Sequence, residues 1–380
     1  MILGIDAFNI ISGGGLTHLK EFIANAKPTE HGFEKVYIWG SKDLLNKLDD
    51  KIWLVKIIEP SLNRNLFFRF LWHHFKSKKQ ILDKKCDILF APGGTCLSGF
   101  RPNVTMCRNM LPFEWQELSR FGISLKTIKL ILLRIFQLIS FKRSDGLIFL
   151  SMYAKNTLKK FINKDNSCIT IIPHGVNSSL FGKKKRKIKT NFSNLNPIRI
   201  IYVSNISPYK HQWNVVKAVY EIRKSGYPIL LELIGEEAEG MPLLKETIKK
   251  YDKNGEFVFF KGKVEHDYLH ILLSKGDIGV FASSCENLPN ILLEIMSSSL
   301  PIVCSNMGPM PEILGNAGEY FNPLSPKDIE LKLKRLILSP SLQKDLSKKA
   351  KIRSSLYKWE NCTKQTLIFL SKIAQKNTNL

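Results

Sequence analysis

IGVFASSCENLPNILLEIM, residues 278–296, is the stretch that decides the fold. Its first part, Ile278–Ala282, is a short apolar run, which is typical of a strand buried inside a parallel sheet. A polar loop follows, and a helical pattern begins near Asn290. A strand that leads into a helix through a short loop is the repeating unit of an α/β fold.

Two carboxylates lie in this stretch. Glu286 is in the loop, and Glu294 is about one turn into the helix. Carboxylates accept hydrogen bonds from sugar hydroxyls, and the N–H groups of a helix N-terminus bind phosphate. An acidic cap that stabilises the helix dipole explains the same two residues. Both interpretations stay open from these residues alone.

The alternation of apolar runs with helical patterns continues in both directions along the chain, so we predict two doubly wound α/β domains. The predicted strands are Met1–Ile5, Val36–Trp39, Ile52–Ile58, Ile88–Phe90, Val104–Cys107, Gly146–Leu150, Ile169–Ile172, Ile198–Val203, Ile229–Ile234, Phe257–Phe260, Ile278–Ala282, Pro301–Cys304 and Glu319–Phe321. One predicted helix begins near Leu16. The other predicted helices are Trp213–Lys224, Pro242–Asn254, Tyr268–Lys275, Asn290–Ser298, Lys327–Leu338 and Trp359–Gln375.

A basic and polar run separates the two series of strands. Residues 182–187 read GKKKRK, and polar residues continue to Asn196. We interpret residues 182–196 as a linker, with a nucleic-acid patch as the alternative. The predicted domains are then residues 1–181 and 197–357, and a final helix is predicted over 358–380.

The composition excludes several classes of protein. The 380 residues are 44% hydrophobic, which is ordinary for a globular protein and too much for a disordered chain. The greasiest stretch, residues 123–141, is interrupted by Lys126, Lys129 and Arg134, so we predict no membrane span. The seven cysteines are scattered with no CxxC pair, which favours free thiols in the cytoplasm.

The charge favours an anionic partner. The chain has 57 Lys and Arg against 33 Asp and Glu, a net charge of +24. Residues 64–76 and 126–142 mix aromatic or aliphatic residues with cations, as helices on anionic membranes do. Core helices with solvated cations, and a general lysine bias on the surface, explain the same features. We interpret them together as peripheral association with a membrane.

Motifs for metals and nucleophiles are missing from the sequence. It contains no Asp-x-Asp, GxSxG or P-loop motif, and the pair His266 and His270 lacks the glutamate of a zinc helix. We therefore expect no metal and no other cofactor. The triplet Gly13-Gly14-Gly15 follows the first strand, where glycines let a ligand approach the backbone; a plain tight turn is the alternative.

Several motifs together resemble a known family. Glu286 and Glu294 form a Glu-x7-Glu pair, and residues 305–313 (SNMGPMPEI) continue it. Residues 201–210 (IYVSNISPYK) end in a lysine, and residues 171–177 read IIPHGVN. These motifs resemble the retaining GT-B glycosyltransferases of the group 1, or family 4 (GT4), type. The resemblance covers about residues 146–360 and implies two Rossmann-like domains that face each other across a cleft. It also implies that the closing helix over 358–380 returns to the first domain.

The resemblance implies a role for each matching residue. Lys210 would bind the nucleotide diphosphate, Glu286 the hydroxyls of the transferred sugar, and Glu294 the ribose. Together with Arg108, Lys210 and Glu286 are the predicted catalytic residues. The predicted donor-binding residues are Gly14, Gly15, His174, Asn205, Gly235, Lys263, Val264, Asn287, Leu288, Pro289, Asn290 and Glu294.

Two positions depart from the family pattern. Asn205 stands where an arginine is common, so one cation for the diphosphate is missing. Arg108 stands where the family has a histidine, and a guanidinium group cannot act as a base at ordinary pH. Arg108 would instead stabilise charge on phosphate or acceptor.

The resemblance implies the transfer of a sugar from a nucleotide sugar to a hydroxyl group, with retention of configuration and without a metal. We expect a glycan or polyprenyl-linked acceptor of a bacterial surface polysaccharide, such as O-antigen, capsule or lipopolysaccharide. The expected location is the cytoplasmic face of an anionic membrane, with no nucleic-acid partner. The alternatives are a nucleotide-sugar epimerase of similar architecture and a basic nucleic-acid-binding protein.

Overall fold

The computed structural model describes residues 1–11, 13–64, 66–177, 181 and 188–378. The chain divides into two compact units. The first consists of Met1–Phe113, Ile128–Gly175 and Lys358–Leu380, and the second of Glu114–Thr127 and Val176–Tyr357. Residues 182–187 of the predicted linker, and Asn65 of the predicted membrane segment, lie outside the described residues.

The first unit is built on a seven-stranded parallel sheet. Its strands are β1 (Ile2–Asp6), β2 (Lys35–Gly40), β3 (Leu54–Ile58), β4 (Ile88–Ala91), β5 (Asn103–Cys107), β6 (Gly146–Phe149) and β7 (Ile169–Ile171). They are arranged in the order β3-β2-β1-β4-β5-β6-β7. Ile5 pairs with Ile38 on one side and Phe90 on the other, which makes β1 and β4 the two strands where the order reverses.

The helices that precede the second sheet in the chain are α1 (Gly13–Asn25), α2 (Lys42–Leu45), α3 (Leu66–Phe75), α4 (Ser77–Asp83), α5 (Trp115–Leu118), α6 (Leu125–Arg143) and α7 (Met152–Lys159). The expected glycine loop before Leu16 was wrong, because α1 begins at Gly13. Glycine is a poor helix former, but Arg108 holds the carbonyls of Gly14 and Gly15 in this first turn.

The second unit has a six-stranded parallel sheet in the order β10-β9-β8-β11-β12-β13. Its strands are β8 (Ile198–Val203), β9 (Ile229–Ile234), β10 (Val258–Phe260), β11 (Ile278–Phe281), β12 (Ile302–Ser305) and β13 (Glu319–Phe321). The helices that follow α7 are α8 (Gln212–Lys224), α9 (Met241–Tyr251), α10 (His266–Lys275), α11 (Asn290–Ser297), α12 (Met310–Leu314), α13 (Pro326–Ile337), α14 (Pro340–Ser354) and α15 (Trp359–Thr378).

The central strands are buried on both faces. Every residue of β4, β5, β6, β11 and β12 is buried, as expected for parallel strands that are covered by helices. These strands therefore appear in the sequence as continuous apolar runs. Helix α15 belongs to the first unit, where it packs against α1 and β4.

The prediction of two parallel α/β sheets is confirmed, and all predicted strand ends lie within two residues of the observed ones. Helix α14 was not predicted, because its lysine-rich sequence shows little apolar periodicity. The sequence also gave no sign that residues 114–127 pack with the second unit. In the described part of the chain, we find no helix that is both long and apolar enough to cross a membrane.

Candidate functional site

The candidate site lies at the carboxyl end of the second sheet. β8 and β11 are neighbours where the strand order reverses, and the loops that follow them carry Lys210 and Glu286. In doubly wound sheets, the loops at such a reversal diverge and leave a crevice for a ligand. The topology therefore brings together two residues that are far apart in the sequence.

Lys210 and Glu286 form an ion pair between the Lys210 ammonium group and Glu286 Oε1. Their side chains are 9% and 15% exposed. The ammonium nitrogen also lies 5.0 Å from the ring centroid of Tyr209 and 5.5 Å from that of Phe281. Burial by itself would lower the pKa of Lys210, but Glu286, Tyr209 and Tyr202 raise it, and the pKa lies above its ordinary value. The site therefore holds a permanent cation beside a carboxylate.

Glu294 lies on α11 and is hydrogen-bonded from outside the helix. Its Oε1 is 2.7 Å from Nε2 of His266, the first residue of α10. The Glu294 side chain is 9% exposed and the His266 side chain is 51% exposed. A partly exposed partner can move away when a ligand hydroxyl takes its place. This pairing agrees better with a binding residue than with an N-terminal cap, because α11 begins four residues earlier at Asn290.

The loop before α11 is well packed. Asn287 and Leu288 are buried, and Pro289 precedes the first helical residue, Asn290. None of the residues in the first turn of α11 is acidic, so no side chain of that turn neutralises the positive end of the helix dipole.

The loops after β8 and β9 lie against each other. Gly235 has φ +155°, and a Cβ atom there would be 1.9 Å from the Ser204 carbonyl oxygen. Its N–H donates to the Gly262 carbonyl at 2.9 Å. Asn205 uses its backbone carbonyl to accept a 2.9 Å hydrogen bond from Gln212 Nε2. Gly235 and Asn205 thus shape the backbone beside the site.

Lys263 and Val264 follow this contact and are more accessible. The Lys263 side chain is 66% exposed, with Nζ 3.7 Å from Glu236, while Val264 is half-buried. This exposure leaves both residues able to contact a flat ligand group that enters from solvent.

The remaining predicted residues lie in the first unit. The half-buried Arg108 donates hydrogen bonds to the carbonyls of Gly14 and Gly15, the latter at 3.4 Å. Burial lowers the pKa of Arg108 to about 10, with Cys362 acting in the opposite direction. The guanidinium group therefore stays charged at neutral pH and orders the first turn of α1.

His174 is buried in an aromatic cluster of the first unit. Its ring stacks on that of His18 at 4.8 Å between centroids and lies 5.4 Å from that of Trp359. The next residue, Gly175, leaves no room for a Cβ atom, which would be 2.1 Å from the Trp359 backbone nitrogen. This cluster fixes the beginning of α15.

Sequence reasoning missed three residues of the second unit. The Oγ of Ser284 lies 2.8 Å from His211 Nε2 and 2.6 Å from Glu117 Oε2. Two of them are close in sequence to predicted residues. His211 directly follows Lys210, and Ser284 lies two positions before Glu286. Glu117 gave no signal in the sequence.

The described residues contain no group of three or more His, Cys, Asp or Glu side chains arranged to hold a metal ion. The charge at the second-unit site comes from Lys210, Glu286 and Glu294, together with the N-terminus of α11. A cation and a helix N-terminus suit a phosphate group, and the carboxylates suit hydroxyl groups. The arrangement therefore fits a ligand that contains both.

Comparisons with known proteins assign the fold to a class. The chain is similar in structure to sucrose-phosphate synthase from Thermosynechococcus elongatus, with a TM-score of 0.77, 15% identity and coverage of 100% and 99% of the two chains. It is similar to WaaG, a glycosyltransferase involved in lipopolysaccharide biosynthesis, with a TM-score of 0.72, 12% identity and coverage of 97% and 99%. The fold is that of the GT-B glycosyltransferases.

Residues 183–353 match the family model described as glycosyl transferases group 1. This region is therefore similar to the group 1 glycosyltransferases. Over 171 residues the chain is 25% identical to O-antigen chain mannosyltransferase B of Escherichia coli, covering 44% of each protein. Over 197 residues it is 26% identical to O-antigen chain mannosyltransferase RfbU of Salmonella typhimurium, covering 52% of each. The chain thus spans about half the length of these relatives.

Proposed function

We propose that the protein is a retaining GT4-type glycosyltransferase that moves a sugar from a nucleotide sugar to a hydroxyl group of a glycan or polyprenyl-linked acceptor. The observation that carries the proposal is the buried ion pair of Lys210 and Glu286 at the carboxyl end of the second sheet. The family match over residues 183–353 supports it independently.

The ion pair suggests how a donor would bind. A bound diphosphate would take Lys210 as its cation, and the hydroxyls of the sugar would donate to Glu286 in place of the lysine. Lys210 would thus exchange one anionic partner for another, whereas Glu286 would exchange its cationic partner for neutral hydroxyl donors. The two groups are already buried and oriented, so little reorganisation is needed when negative charge develops on the leaving diphosphate.

Protein groups would supply the positive charge for the leaving group, without a metal. Lys210 has a raised pKa and remains protonated throughout. The N-terminus of α11 adds a partial positive charge. Asn205 stands where an arginine is common in the family, and it provides no charge. Lys210 is therefore the principal cation of the mechanism that we propose.

Synthesis of a bacterial surface polysaccharide is the process that we propose. Three mannosyltransferases of O-antigen or serotype-specific chains are among the relatives, at 22–26% identity. WaaG, which has a similar structure, is described as involved in lipopolysaccharide biosynthesis.

We also propose that the protein associates with the cytoplasmic face of an anionic membrane. Ile128, Leu132 and Ile135 are spaced along one face of α6, and their exposed fractions are 54%, 48% and 48%. Lys129 is exposed beside them on the same helix. Apolar residues flanked by cations suit the interface of an anionic bilayer, and the net charge of +24 attracts it.

A thermal-shift screen tests the proposed function. The purified protein is heated with UDP-, GDP- and dTDP-sugars and with the free sugars. A ligand that binds only the native state raises the melting temperature. We expect one nucleotide sugar to stabilise the wild type and to lose most of this effect in Lys210→Ala. The exposed Lys349→Ala on α14 is the matched control and should behave as the wild type.

The outcome against the proposal is the absence of a shift with every nucleotide sugar. Product analysis of the stabilising donor, with and without an acceptor, separates transfer from epimerisation. Tight and salt-sensitive binding of DNA that a nucleotide sugar does not displace would favour the nucleic-acid alternative.

A further inference from the structure

Glu117, Ser284 and His211 form a buried hydrogen-bond chain. Ser284 Oγ donates to Glu117 Oε2 at 2.6 Å, and His211 Nε2 lies 2.8 Å from Ser284 Oγ. Because a serine hydroxyl has one proton and gives it to the carboxylate, His211 Nε2 must carry the proton that it donates to Oγ. Glu117 is 6% exposed, Ser284 7% and His211 1%. In this hydrogen-bond chain, each residue donates to the next in one direction, from His211 through Ser284 to Glu117.

This chain joins the two loops that carry the candidate site. His211 directly follows Lys210, and Ser284 lies two residues before Glu286. The Ser284 N–H also donates to the Tyr209 carbonyl at 2.9 Å. Main-chain and side-chain hydrogen bonds therefore connect the loops immediately beside the ion pair.

The backbone of His211 is in an unfavourable conformation. It has φ +53° and ψ +31°, a left-handed conformation that glycine adopts without a Cβ penalty. A histidine persists there only if its surroundings hold it. The bond from its ring to Ser284 and the bond from the Asn214 N–H to its carbonyl are among the contacts that hold it there.

The segment Glu114–Thr127 supplies the other end of the chain. Arg120 Nε donates to Glu117 Oε2 at 2.7 Å, which keeps the carboxylate oriented. The Phe121 ring lies 6.4 Å from that of Tyr209, and Lys126 Nζ is 3.2 Å from Glu239. Several separate contacts thus fasten this segment to the rest of the second unit.

We propose that Glu117, Ser284 and His211 are positioning residues, which hold the loops of Lys210 and Glu286 at the separation that the donor requires. The proposal rests on the proposed function, since it assigns the purpose of this separation to donor binding. When the donor enters, Lys210 and Glu286 lose each other as partners, and the hydrogen-bond chain then keeps the loops in place. Small displacements of such groups lower the rate strongly.

The test compares Ser284→Ala with Ser298→Ala. Ser298 is also buried, and its Oγ donates to the Ile295 carbonyl at the end of its own helix rather than to another segment that carries the site. Amide hydrogen exchange is measured over residues 114–121, 207–211 and 283–287, and kcat and KM are measured with the stabilising nucleotide sugar. We expect faster exchange in all three segments and a loss of kcat/KM of about tenfold or more for Ser284→Ala alone.

Substitutions at the two ends of the chain separate the side-chain role from the backbone. His211→Gly relieves the left-handed conformation but removes the donor, whereas His211→Asn tolerates the conformation and keeps an amide donor. We expect the asparagine variant to retain more protection and more kcat/KM than the glycine variant. Glu117→Gln keeps the volume of the side chain, and it replaces Ser284→Ala if that variant does not fold.

Two results would overturn the inference. One is unchanged exchange in the three segments of the Ser284→Ala protein with kcat/KM within twofold of the wild type. The other is a His211→Gly enzyme as protected and as active as the wild type. If the wild type neither binds nor uses any nucleotide sugar, the proposed function fails, and the exchange data alone decide whether the chain holds the loops.

Discussion

At the scale of single residues, Lys210 is the side chain whose replacement we expect to lower turnover most. Lys210→Ala should lower turnover by about 10²–10³, because it removes the principal cation that stabilises the leaving diphosphate. Steady-state kinetics with the donor found in the screen measure this loss, with Lys349→Ala as the control.

The same assay with EDTA tests whether a metal contributes, and we expect a nearly unchanged rate. Activity lost in EDTA and restored by Mg²⁺ or Mn²⁺ would contradict the mechanism.

The two carboxylates should differ in their effects. Glu286→Gln and Glu294→Ala should each lower kcat/KM by roughly ten- to a hundred-fold, the worth of a hydrogen bond to a charged group. Glu294→Ala should also weaken donor binding, which calorimetry with the donor measures. The exposed Glu256→Gln is the control. Near-normal kinetics in both site variants would remove these residues from the site.

His211 should make the stability of the protein sensitive to acid. Burial lowers the pKa of His211 from 6.5 to about 3, and Arg120 acts in the same direction. Between these pH values the unfolded chain binds a proton that the folded protein excludes, so the free energy of unfolding falls as the pH falls. Urea unfolding at pH 7 and pH 5 should show a smaller decrease for His211→Asn than for the wild type. Equal decreases in the two proteins would show that His211 does not titrate as described.

At the scale of elements, the loop after β9 depends on Gly235. Alanine there would place its Cβ 1.9 Å from the Ser204 carbonyl, at φ +155°. Gly255→Ala is the matched control, because it has φ +68° with nothing within 4 Å of its Cβ. We expect urea unfolding to show a loss of about 1–2 kcal/mol for Gly255→Ala and a clearly larger loss for Gly235→Ala. Similar losses would mean that the loops move apart at little cost.

The sequence predicts elements well where a pattern repeats. Continuous apolar runs such as Ile198–Val203 identify β8 with its observed ends, because buried parallel strands need no polar face. Helix α14 has no such pattern and was not predicted. The glycine-rich first turn of α1 was predicted as a loop, since the hydrogen bonds from Arg108 that order it join residues more than ninety positions apart.

The site, like the fold, is predictable from the sequence only where a local pattern marks its residues. Lys210 and Glu286 stand out through motifs, and the structure brings them together as an ion pair. The bond from Glu294 to His266 and the chain from His211 to Glu117 depend on contacts between distant segments. A tertiary contact of this kind has no local signature, so a single sequence does not reveal it.

At the scale of the whole molecule, the net charge of +24 should make membrane binding depend on salt. Cosedimentation with anionic vesicles should be strong at low salt and weaker at high salt, because ions screen surface charges. Leu132→Asp on α6 should reduce binding, while Ile352→Asp, at another exposed apolar position on α14, should not. A wild-type protein that stays in the supernatant at low salt would contradict the proposal.

The division of the chain has a consequence for exchanging parts between relatives. The polypeptide passes between its two units at four points, after Phe113, Thr127, Gly175 and Tyr357. The second unit is therefore not one contiguous cassette. A chimera that combines residues 176–357 of this protein with the remainder of a relative would place a foreign segment opposite Ser284. Recombination at Gly175 would preserve both sheets yet separate Glu117 from Ser284, unless residues 114–127 were transplanted as well.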